Sequence, residues 1–173
     1  FEGIYSKSIN DVMQFNANQT IGDSTFQGVD NRERFFSDTR RVNPSISNAM
    51  VLTNTDQGYS YSLTAQLAKE FEKGFYGFVA YTYSGTEDLT SNPGSAAASA
   101  WASNPTYTNQ NNPNLSYSQF SVPHRVVGAL SYQIEYAKHL KTTFSVFYQG
   151  SSQGRLDYIY SNDMNGDGNA ADL

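Results

Sequence analysis

The chain of 173 residues contains no cysteine, which excludes disulfide frameworks, thiolate zinc sites and thiol catalysis. Charge is scarce: only 16% of residues are Asp, Glu, Lys or Arg, and 16 acids outweigh 11 bases for a net charge of -5. Nucleic-acid binding needs clustered cations to neutralise phosphates, so that class is excluded. No apolar run approaches the roughly 18–20 residues of a spanning helix. The sequence opens on Phe1 with no initiator Met, basic n-region or apolar h-region. The expectation is therefore a segment from the interior of a longer protein. What the chain has in quantity is aromatic and small polar residues, with 13 Tyr, 11 Phe and one Trp. Aromatic and β-branched residues favour a pleated surface over a helix, so an all-β fold is expected.

Two-residue alternation supports that class. In Tyr59–Ala68, Tyr59, Tyr61, Leu63, Ala65 and Leu67 share one face, and Ser60, Ser62, Thr64 and Gln66 the other. From His124, the residues Val126, Gly128, Leu130, Tyr132, Ile134 and Tyr136 oppose Arg125, Ala129, Ser131, Gln133 and Glu135, with Val127 the apolar exception. From Leu140, the set Leu140, Thr142, Phe144, Val146 and Tyr148 opposes Lys141, Thr143, Ser145 and Gln149, with Phe147 out of pattern. Such runs read as strands with one apolar and one polar face. A further strand starts at Phe75 and ends in Tyr81-Thr82-Tyr83. Taking 1–16 as one strand and 46–71 as another, bulged near Asp56-Gln57-Gly58, gives strands near 1–16, 46–71, 75–86, 120–136 and 140–150.

The connections fall into two classes. Tight, charged turns are expected at Glu72-Lys73-Gly74 and around Tyr136–His139. Long polar loops are expected at 17–45, 87–119 and 151–173, longer than the ~12–15 residues usual in compact soluble domains. In an up-and-down sheet the long loops then share one end and the tight turns the other. Outer-membrane β-barrels have this asymmetry, with strands of about ten residues and aromatic girdles at both interfaces. Tyr59, Tyr61, Tyr81, Tyr83 and Tyr148 fall at the long-loop end; Phe71, Phe75, Tyr76 and Tyr136 fall near the turns. The expected fold is thus an antiparallel up-and-down transmembrane β-barrel segment. About five strands cannot close a barrel, because the smallest have about eight, so other strands must complete it. The expected lipid-facing set is Leu63, Ala65, Leu67, Leu130, Tyr132, Ile134, Phe144 and Val146. Arg125, Gln133, Glu135, Lys141 and Gln149 would line the polar side. The alternative is a soluble β-sandwich, in which the same apolar face lies in a closed core.

Five stretches carry a family resemblance. Leu52–Thr64 runs from a strand through Asn54 and Gly58 into an alternating strand. Ser121-Val122-Pro123-His124-Arg125 places a Pro-His-Arg triplet at a strand opening. The other three are Leu89–Pro93, the Ala-rich Ser95–Trp101 and Ser161–Gly168. Together they resemble the C-terminal barrel of TonB-dependent outer-membrane receptors, in the Oar-like branch that carries a carboxypeptidase-regulatory-like domain. The resemblance implies a barrel of about 22 strands. It also implies a plug domain, which this sequence lacks, and an inner-membrane TonB complex that energises transport. The implied location is the Gram-negative outer membrane with extracellular loops. Implied partners are outer-membrane lipid, the plug and remaining strands, and a surface lipoprotein. A carbohydrate-binding or adhesin sandwich and a passive porin are the rival functions.

Candidate sites are local. Asp163, Asn165 and Asp167 followed by Gly168 match the first half of an EF-hand-like calcium loop, with Asp172 as a fourth oxygen donor. A metal-free series of Asn/Asp/Gly turns reads the same way. The run Asp30–Arg41 holds seven charges of both signs. In it Arg32 and Arg34 are candidate contacts for an anionic ligand, although such runs are usually solvated and mutually paired. Trp101, Tyr107 and Tyr117 are candidates for stacking on a ligand or for anchoring their own loop. The Ala-rich run at 95–102 suits a short helix. His124 and His139 stand at strand ends outside any metal or nucleophile arrangement, and no Gly-x-Ser-x-Gly elbow occurs, so no enzyme activity is expected.

Overall fold

The computed structural model describes residues 1–71 and 74–173; the Glu72-Lys73 part of the first expected turn lies outside the described residues. With 47% strand and 4% helix, the chain is all-β with antiparallel sheets. In chain order the elements are β1 (Glu2–Lys7), β2 (Asp11–Asn16), β3 (Ser24–Thr25), β4 (Glu33–Arg34), β5 (Met50–Thr55), β6 (Tyr59–Glu70), β7 (Phe75–Asp88), α1 (Ala97–Ala102), β8 (Ser116–Tyr117), β9 (His124–Ala137) and β10 (Leu140–Ser151). Among the described residues no helix is long and apolar enough to cross a membrane, which says nothing about strands that cross. Two compact units form. One comprises Phe1–Ser6, Tyr59–Thr86 and Phe120–Arg155; the other comprises Lys7–Gly58, Glu87–Gln119 and Leu156–Leu173.

The first unit is built on a sheet of order β1-β6-β7-β9-β10. Antiparallel registers set Phe75 against Tyr132 and Tyr132 against Phe144. The next rows are Gly77–Leu130–Val146 and Val79–Gly128–Tyr148. On the other side of β7, Thr64 Oγ1 lies 2.9 Å from Thr82 Oγ1 and the Phe71 amide donates to the Phe75 carbonyl at 2.7 Å, so β6 runs opposite to β7. The Tyr61 and Tyr83 hydroxyls meet at 3.4 Å on the other face, with the odd-numbered residues. Side chains alternate along a strand, so Leu63, Ala65, Leu67, Leu130, Tyr132, Ile134, Phe144 and Val146 all share one face of the sheet. Leu63, Leu67, Leu130, Phe144 and Val146 are each more than half exposed. Ala80 is this unit's one buried hydrophobic side chain among the described residues. Among the described residues the sheet buries almost no apolar side chain.

The opposite face carries Arg125, Gln133, Glu135, Lys141 and Gln149. Lys141 lies directly across from Glu135 with Nζ 2.5 Å from Oε1, an exposed pair of small energetic weight. The two residues that broke the alternation have a structural partner here. Phe147 pairs with Ala129 and Ala129 with Phe78, while Val127 pairs with Ala80 in the adjacent row. An apolar strip therefore crosses the polar face.

Both long strands expected near the N-terminal half are divided. The 1–16 strand separates into β1, which joins β6, and β2, which pairs with β5; the 46–71 strand separates into β5 and β6. The two breaks meet: the Ser8 amide donates to the Gly58 carbonyl at 3.0 Å, and Gly58 sits at φ +118°. That conformation is open to glycine and costly for other residues, so the chain leaves the ladder there. β9 begins at His124 instead of near 120, directly after Pro123, whose ring nitrogen carries no hydrogen to donate to a ladder.

The second unit gathers most of the three stretches expected as separate long loops. β2 pairs with β5 and β3 with β4, and α1 opens with the Ala96 amide donating to Ser99 Oγ at 3.1 Å. Its buried apolar residues are Phe35, Leu89, Ala100, Trp101 and Ala171, but much of the interior is amide. Asn16 shows how this works. Its amide donates to Asn111 Oδ1 at 2.7 Å, and Asn111 Nδ2 returns a bond to the Asn16 carbonyl at 2.9 Å. The Asn16 side chain accepts from the amides of Asn18 and Ala49, both at 3.0 Å. Buried polar groups persist only when paired in this way.

Candidate functional site

The segment Asp163–Asp172 folds back on its own carboxylates. Asp163 accepts from the Gly166 amide at 2.7 Å and from the Gly168 amide at 2.8 Å. Asn165 Oδ1 caps the Asp167 amide at 2.9 Å and Asp167 Oδ1 caps the Asn169 amide at 2.8 Å. Asp172 reaches back to accept from the Met164 amide at 2.7 Å. Gly166 and Gly168 adopt φ +83° and +94°, which lets the chain reverse twice within a few residues. The loop is pinned from outside by the Phe35 amide, which donates to the Asn165 carbonyl at 2.7 Å. The four expected donors, Asp163, Asn165, Asp167 and Asp172, are thus held in one turn system.

Its electrostatics are one-sided. Asp167 is 7% exposed and Asp172 2% exposed. Burial, reinforced by the neighbouring charges of Asp172 and Asp163, pushes the Asp167 carboxyl up to about 6. Burial also raises Asp172, against the lowering effect of the Met164 and Asn165 amides. Arg40 Nη1 stands 3.9 Å from Asp163 Oδ2, too far for a hydrogen bond. Asp167 Oδ2 is buried without a hydrogen-bond partner. Asp167 lines a small, partly open cavity of about 40 Å³ together with Asn16, Gln19, Arg40, Arg41 and Trp101. Both amide atoms of Gln19 are likewise buried and unpartnered. Sequence reading missed Gln19 and Arg40 here, since neither carries a local motif. Among the described residues no three acidic or histidine side chains already converge on one metal position.

The other candidates are placed separately. Arg32 grips Asp30 through Nε–Oδ1 at 3.0 Å and Nη2–Oδ2 at 2.9 Å and also donates to the Leu173 carbonyl, so its fork is occupied. That hydrogen-bonded pairing lowers the Asp30 carboxyl and raises the Arg32 guanidinium. Arg34 lies over the Phe26 and Phe36 rings at 5.7 and 5.5 Å. Trp101 is buried, with Nε1 donating to Asn111 Oδ1 at 3.0 Å, and serves as an anchor for its own segment. Tyr107 and Tyr117 are each more than half exposed. His124 belongs to an aromatic group at the start of β9, its Nδ1 2.7 Å from the Tyr81 hydroxyl. Compared with known protein families, curated proteins and solved structures, the chain matches none.

Proposed function

We propose that this chain is part of the barrel wall of a TonB-dependent outer-membrane transporter in a Gram-negative cell. The observation that carries the reading is the sheet of the first unit, where one continuous apolar face is exposed instead of being packed into a core. A lipid bilayer is the solvent in which such a face is stable. β1 and β10 are left as open edges, which in lipid would strand unpaired backbone groups. Further strands of the parent protein would pair with them. The aromatic residues at both ends of the strands suit the two headgroup levels.

In this reading the sheet's polar face looks toward the lumen and a plug domain. The long connections face the cell exterior, where exposed Tyr107 and Tyr117 meet the ligand. Ligand capture is followed by plug movement energised from the inner membrane through TonB, and a surface lipoprotein is a further partner. The segment itself performs no catalysis.

The absence of cysteine makes a direct test available. Single-cysteine variants L130C, V146C, S131C and S145C in the intact polypeptide, spin-labelled in its source membrane, report which solvent each position meets. Leu130 and Val146 should collide with dissolved oxygen, and Ser131 and Ser145 with a water-soluble nickel chelate. Labels at 130 and 146 shielded from both reagents, in a protein soluble without detergent, would overturn the reading in favour of a β-sandwich binding module.

A further inference from the structure

We propose that Asp163, Asn165, Asp167 and Asp172 bind a calcium ion that locks the Asp163–Asp172 loop. The pattern of alternate oxygen side chains ending in Gly168 is the first requirement, since calcium loops present donors from every second residue before a glycine turn. The decisive observation is Asp167. The residue is 93% buried by surface area, with Oδ1 engaged by the Asn169 amide and Oδ2 buried without a hydrogen-bond partner. A buried carboxylate oxygen without a donor or a cation is strongly disfavoured.

The nearby cations do not meet that need. Arg32 is held by Asp30, Arg40 stands off Asp163 without a hydrogen bond, and although Arg40 and Arg41 both line the cavity beside Asp167, neither donates to its Oδ2. Three buried or half-buried carboxylates thus share one loop with an excess of negative charge. The cavity bordering Asp167 has room for an ion or one or two waters.

The donor set selects the ion. All donors are oxygen, which suits calcium with its 6–8 ligands and flexible geometry; magnesium demands a near-ideal octahedron. Zinc prefers nitrogen and sulfur, and the chain's only histidines, His124 and His139, lie outside this loop. The side chains do not yet converge. Ion binding therefore draws Asp163 and Asp172 inward, with backbone carbonyls and water completing the shell. The proposal concerns this loop alone and holds whether or not the sheet lies in a membrane.

The test is hydrogen–deuterium exchange of the peptide covering 161–173 in the intact polypeptide, in chelator and in 10 mM Ca²⁺. Calcium modules of this kind in extracellular proteins bind with Kd of about 10⁻⁴–10⁻³ M, so protection should rise roughly 10–100-fold. D167N should abolish that gain while leaving exchange in β9 and β10 unchanged. D167N should also protect the loop better than the wild type in chelator, because it removes an unpartnered charge. No calcium-dependent protection in the wild type, or equal protection in wild type and D167N, would overturn the site. If D167N perturbs β9 and β10, terbium luminescence decides. Excitation at 295 nm should sensitise bound Tb³⁺ through Trp101, the signal being displaced by calcium and lost in W101F. A terbium signal unchanged by W101F would overturn it.

Discussion

Phe75 and Tyr132 face each other directly across β7 and β9, their ring centroids 4.3 Å apart and their planes 27° from parallel. This pair sits on the apolar face close to the tight-turn end of the sheet. Offset stacking adds about 0.5–1.5 kcal/mol beyond the area it buries. A double-mutant cycle of F75A and Y132A, read from unfolding in detergent, should return a coupling of that size. Strictly additive losses would mean that the rings do not work together.

Leu130 and the adjacent Ser131 point to opposite faces of β9. If Leu130 faces lipid, as proposed above, L130R should cost about 2–4 kcal/mol in a bilayer and reduce the amount assembled in the outer membrane. S131R should be tolerated. Membrane fractionation of the two variants side by side checks the sign, and equal loss in both would argue that neither face meets lipid.

Asn111 bridges three groups, accepting from the Asn16 amide and Trp101 Nε1 and donating to the Asn16 carbonyl. Its removal leaves buried partners without bonds. N111A should destabilise the second unit by about 1–3 kcal/mol, seen as a lower denaturation midpoint followed by Trp101 fluorescence. An unchanged midpoint would show that water replaces the amide freely.

A side chain at Gly166 would run into the Phe35 backbone carbonyl, and its φ of +83° is itself costly for other residues. G166A should undock the Asp163–Asp172 loop from Phe35 at a cost of at least ~1–2 kcal/mol. Faster exchange of the Phe35 amide is the local reading.

Asp23 accepts from Thr39 Oγ1 at 2.7 Å and from the Phe36 amide at 3.0 Å. These bonds, the hydroxyl first, hold its carboxyl below the ordinary 3.8. A lowered folded-state pKa means that the contribution is present above the unfolded value and is lost as pH falls through the folded one. Exchange of the Phe36 amide should therefore be steady from neutrality to about pH 4, after correction for its intrinsic pH dependence. Below that it should accelerate. D23N should remove this acid-dependent step.

The sequence was most readable where one physical constraint acts along the chain. β6, β9 and β10 announce themselves by an apolar residue at every second position and β7 by a run apolar on both faces near its start, and their observed limits differ from the expected ones by only a few residues at most ends. Val127 and Phe147 looked like noise because their reason lies across the sheet, in register with Ala80 and with Ala129 and Phe78. The division of the first expected strand at Ser8 was hidden for the same cause: it depends on Gly58, fifty residues away. The packed interior of the second unit was the least legible part. Asn18 and Asn109 read as loop residues by composition and Asn16 as the end of a strand, and only their distant partners make them core. For the candidate site, the spacing of Asp163, Asn165, Asp167 and Gly168 was visible. The unpartnered Asp167 oxygen and the nearby Gln19 and Arg40 were not, since burial is a property of the folded chain.

The amide lattice around Asn16, Asn18 and Asn111 has a consequence for the conditions the protein can tolerate. Asn side chains neither gain nor lose protons between strong acid and strong base, and their bonds are not dissolved by screening ions as exposed charge pairs are. A packed unit built on them keeps its form through swings of acidity and salinity that would loosen one built on ion pairs. Within such a scaffold the buried aspartates are where changes in the surrounding water can be felt.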